Sequence, residues 1–101
     1  MADSQILSEL VDITVESYQD GLDNEDKTQL KQDVIEKALA KAKESGLTPD
    51  EIVNIEKTLQ DVLDNSGGKN IDEFKAELSD KVFKSVNITQ LSHMQNLSLN
   101  P

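Results

Sequence analysis

The stretch "KAKESGLTPDEIVNI", residues 41–55, decides how the chain is read. It holds the end of one helix, a tight turn and the start of the next. Gly46 stands where a helix closes in a left-handed cap. Thr48 is an N-cap and Pro49 fills the first helical turn, where a missing N–H costs nothing. Glu51, three residues after Thr48, completes a capping box, and Leu47 with Ile52 forms a hydrophobic staple.

Working outward, apolar residues recur at helical spacing on both sides. Upstream, Leu30, Val34, Ile35, Ala38, Leu39 and Ala42 predict a helix ending near Glu44. Its start carries Asp23, Asn24, Glu25 and Asp26, acids that suit the positive end of a helix dipole. Downstream, Ile52, Ile55, Leu59 and Val62 carry the next helix to about Asp64. "NSGGKN", residues 65–70, is a loop. Asn70 with Glu73, or Asp72 alone, starts a fourth helix with the stripe Ile71, Phe74, Leu78, Val82 and Phe83.

The first helix begins near Asp3 or Ser4 and stops at Asp20-Gly21. Ile6, Leu7, Leu10, Val11, Thr14, Tyr18 and Leu22 share one face. Val11, Ile13 and Val15 also alternate as in a strand, but the flanks offer no pairing partner. Asn87 with Gln90 caps a short fifth helix, or the fourth continues. The pattern predicts an all-α fold, a compact bundle of four to five short helices with antiparallel neighbours. Residues 1–84 form the bundle domain and residues 85–101 a low-charge, apolar C-terminal segment.

The opening stretch also has the spacing of a DNA-reading helix-turn-helix: Ala42, Gly46, Leu47, Ile52 and Ile55 fall on its small, turn and anchor positions. A packed helical hairpin needs the same residues, and charge decides between the two. The reading helix would begin Pro49-Asp50-Glu51 and set carboxylates against phosphates. Net charge is −10 and the chain has no arginine, whereas nucleic-acid binding leaves a basic footprint. The spacing therefore reports packing, and no direct nucleic-acid contact is expected.

Composition bounds the rest. The 101 residues suffice for one domain, but only 36% are hydrophobic and three are aromatic. A thin core favours a partner or a second copy, so a homodimer is expected. Cysteine is absent, which excludes disulfides and thiolate metal sites. The acidic, lysine-free start is unlike a secretory leader, and no apolar run approaches a membrane span. These features point to a cytoplasmic protein with no membrane partner.

Charge is distributed unevenly. Residues 1–26 hold eight acids and no lysine, while residues 27–101 hold twelve acids and ten lysines. Glu9, Asp12, Glu16 and Asp20 recur at spacings of 3, 4 and 4 and share one helical face. The apolar arc opposite is roughly twice as wide as that stripe, wider than a single neighbour needs. The stripe is either a solvated face or a docking surface for a basic protein partner, which would speed encounter more than it deepens affinity.

Residues 85–101, "SVNITQLSHMQNLSLNP", contain no acid and no lysine. Ile88, Leu91, Met94 and Leu97 make the segment too apolar for a disordered tail. It packs on its own domain or offers a partner-binding helix. The candidate contact residues are thus Glu9, Asp12, Glu16, Asp20, Ile88, Leu91, Met94 and Leu97.

Catalytic and ligand signals are weak. Residues 47–74 resemble the EF-hand pattern of helix, acidic loop and helix, which implies a divalent-ion site beginning at Asp64 and Ser66. The match fails where Gly68, Lys69 and Lys75 replace an oxygen donor, the invariant glycine and the bidentate glutamate. "GGK" at 67–69 lacks the earlier glycine and the following Ser or Thr of a phosphate loop. His93 is the sole histidine, and its neighbour Ser92 points away from it on a helix. No catalytic residue, metal ligand or cofactor is assigned. The expected function is a small acidic protein–protein interaction module: an adaptor, regulator, inhibitor or assembly factor. The alternatives are an acidic nucleic-acid mimic that blocks a DNA-binding protein and a degenerate EF-hand-like ion binder.

Overall fold

The computed structural model describes the backbone of residues 4–99 and the side chains of residues 4–86. Four helices follow one another: α1 (Ser4–Asp20), α2 (Lys27–Glu44), α3 (Pro49–Asp64) and α4 (Ile71–Leu99). No strand occurs among the described residues. The β-like alternation of Val11, Ile13 and Val15 lies inside α1.

The opening stretch folds as its residues dictate. Thr48 Oγ1 accepts from Glu51 N at 3.2 Å, and Glu51 Oε1 accepts from Thr48 N at 2.9 Å. Gly46 has φ +83°, a left-handed conformation that costs a side chain but not glycine. Leu47 is buried and Ile52 packs against the same core. Asp26 caps α2 by accepting from Gln29 N, so Asp23, Asn24 and Glu25 belong to the preceding turn. Asn70 caps α4, its Oδ1 accepting from Glu73 N at 2.8 Å.

The helices form an antiparallel ring in which α1 and α3 each pack on both α2 and α4. Cross-helix pairs fix the directions: Lys41 at the end of α2 reaches Glu9 near the start of α1, and Lys31 near the start of α2 reaches Asp64 at the end of α3. Each helix contributes a stripe to one core. Leu10, Val34, Ala38, Ile55, Leu59, Phe74, Leu78, Val82 and Val86 are all at or below 1% exposure. At the loop end the Tyr18 ring stacks on Phe74, with centroids 4.2 Å apart. Tyr18 Oη donates to Ser66 Oγ, which donates to the Leu63 carbonyl.

Three expectations are refined. The wide apolar arc of α1 is filled by the ring itself, because α2 and α4 flank it on two sides. Val15 is buried with that arc, whereas Leu22, beyond the helix end, is 44% exposed. The described residues form four helices rather than five, since the backbone of α4 continues from Ile71 to Leu99 without a break at Asn87. At 29 residues α4 spans about 43 Å, while the longest of the others, α2, has 18 residues. Its buried stripe runs through Val86. The side chains of Ile88, Leu91, Met94 and Leu97 lie outside the described residues.

Candidate functional site

The acidic face of α1 is divided by its neighbours. Glu9 faces Lys41 of α2 at 3.7 Å and Asp12 faces Lys75 of α4 at 3.5 Å. Both carboxylates therefore help to hold the ring. Glu16 and Asp20, further along the same face, are exposed and have no ion-pair partner among the described residues. The sequence-predicted stripe is one face in space, but only its loop-side half is uncompensated. With Asp23 and Glu25 in the adjoining turn, that half is a negative pole at the α1–α2 corner.

Lysines elsewhere are used in the same way. Lys81 of α4 bridges Asp61 of α3 at 2.8 Å and Glu77 at 3.2 Å. This contact and the lysine's charge hold the Asp61 carboxyl below its ordinary value of 3.8. Lys69 pairs with Glu77, and Lys84 with Asp80. The seams α1–α2, α1–α4 and α3–α4 each carry a cross-helix ion pair.

The α2–α3 seam differs. Its cross-helix pair, Lys31–Asp64 at 2.5 Å, sits at the loop end. Beyond it lies an open groove of about 390 Å³. Ile35 and Leu39, half-buried, supply its apolar side, and Gln32 and Gln60 its polar rim. Glu36 from α2 and Glu56 from α3 both line it. Neither has an ion-pair or hydrogen-bond partner among the described residues. Lys37 and Lys57 follow them in sequence, but the 100° step of a helix turns both off the groove. The cause is local: neither glutamate has a lysine three or four residues away, the separation at which helical side chains meet. Sequence reasoning passed over this groove because Ile35 and Leu39 read as core.

A second cavity, of about 430 Å³, lies at the loop end beside Tyr18, Leu30 and Ser66. The two lysines on its wall are engaged: Lys31 with Asp64, and Lys27 Nζ donating to the Leu22 carbonyl at 3.0 Å. The EF-hand-like segment brings no set of donors together. Asp64 is held by Lys31 and Lys75 by Asp12. Among the described residues no three His, Cys, Asp or Glu side chains converge as metal ligands. His93 lies outside the residues whose side chains are described. No helix among the described residues is long and apolar enough to cross a membrane.

Comparison of the chain with protein-family models, curated proteins and solved structures finds no match.

Proposed function

We propose that the protein is a small acidic interaction module, an adaptor, inhibitor or assembly factor that acts by surface contact rather than by catalysis. The observation that supports this reading is the uncompensated half of the α1 face. Six lysines form ion pairs with acids of their own chain, yet Glu16 and Asp20 remain exposed without one. Exposed carboxylates gathered at one corner attract a basic protein surface and raise its rate of encounter.

Self-association belongs to the same proposal, through the uncharged segment 85–101. Two chains of net charge −10 meet there with least like-charge repulsion. The four-helix ring already closes its own core, so a second copy is not required to complete it.

The test is affinity capture from the cytoplasm of the native host with the tagged chain and with its E16Q/D20Q variant, alongside mass measurement in solution. A partner lost from the variant supports the reading. Equal recovery by both chains removes the acidic corner from it. Displacement of the partner by duplex DNA would favour the nucleic-acid mimic instead. A monomeric mass at working concentration would remove the homodimer.

A further inference from the structure

The α2–α3 groove combines three properties. It has an apolar side, Ile35 and Leu39, accessible to solvent between two helices. It is lined from both helices by a carboxylate, Glu36 and Glu56, so two like charges border one depression. Neither charge is met by a lysine of the chain, because the ion pair that this seam does carry, Lys31–Asp64, lies at the loop end. Both carboxylates thus stand at the groove without a cation of the chain beside them.

An occupant that matches them must be cationic along its edges and apolar along its centre. An amphipathic helix with lysine or arginine beside its apolar stripe has that chemistry, and a groove between two helices is the shape such a helix fills. A second copy of this chain is a poor occupant, because it brings ten further net negative charges. A nucleic acid is excluded by the same sign.

We propose that this groove is the docking site for a basic amphipathic helix of a partner protein: an apolar side chain of that helix enters between Ile35 and Leu39, and flanking cations meet Glu36 and Glu56. The inference rests on the interaction-module reading and deepens it by naming a surface and a partner chemistry. It assigns anchoring to the groove and leaves long-range steering to the α1 corner. The flanking cations supply complementary charge to the two glutamates, which fixes the register and orientation of the docked helix.

The test uses the full chain, isotopically labelled, and two synthetic peptides of identical Leu, Lys and Gln composition and about four helical turns each. One peptide places its leucines on a single helical face; the other is scrambled. Amide shifts confined to residues 29–39 and 52–60, with binding about tenfold tighter than the scrambled peptide, are expected from an apolar anchor plus charge. E36Q/E56Q should weaken the amphipathic peptide by about tenfold, and L39Q likewise, with an unchanged helical spectrum. Equal binding of the two peptides, or shifts centred on α1, would overturn the groove while leaving the interaction reading in place. Absence of binding by either peptide at millimolar concentration would overturn the groove as well. The interaction reading fails separately, when the tagged chain captures no partner at all.

Discussion

Two seams of the ring show opposite treatments of the same residue types. Along α1–α4, Tyr18 stacks on Phe74 and Asp12 meets Lys75. Phe74 is fully buried there under the half-buried Tyr18 ring, and the Asp12 charge outside is paired. Along α2–α3, Ile35 and Leu39 stay half-buried and Glu36 and Glu56 are unpaired. The first seam is finished by the chain itself; the second has the composition of an interface awaiting its other side. An acidic surface is therefore not uniform in meaning, since some of its carboxylates hold the fold and others are left over.

The sharpest way to break this contrast is truncation on each side. Phe74→Ala removes a ring at 1% exposure together with its stack on Tyr18, and should cost about 3–5 kcal/mol. Leu39→Ala, at the groove, should cost well under half as much, because its side chain is only partly removed from water. Chemical denaturation of both variants measures the difference. Comparable losses would mean that the groove is part of the sealed core.

A smaller effect is expected at the turn that joins the groove's two helices. Thr48→Ala deletes one half of the capping box and should destabilise the protein by about 1 kcal/mol. Thr48→Ser should restore most of that, since the hydroxyl still accepts from Glu51 N. Thermal or denaturant melts read both.

At the paired α3–α4 seam the expected effect is on a single titration. Lys81 lowers the Asp61 pKa by a hydrogen bond and by its charge. A lowered folded-state value means that this contribution is present above the unfolded pKa and is lost as pH falls through the folded one. Lys81→Met should raise the Asp61 value toward 3.8 and shrink the loss of stability on acidification below that pH. Carboxyl NMR titration of the two chains checks the sign.

The local grammar of this fold is legible in the sequence. Thr48, Pro49 and Glu51 announce a helix start because capping uses residues three apart, and Gly46 announces the stop before it. Apolar residues at helical spacing give each helix its inner stripe. Pairings between distant positions are not legible. Lys31 meets Asp64 and Lys75 meets Asp12, and nothing in the local spacing of these residues selects those partners. For that reason the acidic stripe of α1 read as one surface when half of it is internally compensated. The wide arc of α1 read as surplus because the number of neighbours around a helix is a property of the ring. The groove left one trace in the sequence: Glu36 and Glu56 lack a lysine three or four positions away. That trace carries meaning only once α2 and α3 are known to lie side by side.

Glu9 and Asp12 of α1 are spent within the fold, whereas Glu36 and Glu56 at the groove are not. Thermal unfolding of two double variants at low ionic strength tests this central claim most directly, each removing two negative charges. E9Q/D12Q breaks ion pairs to Lys41 and Lys75 and should lower the midpoint. E36Q/E56Q removes two unpaired negative charges from a chain of net charge −10 and should raise it, each change being under about 1 kcal/mol. Opposite signs are the predicted result; a midpoint that moves in the same direction for both variants would contradict the account.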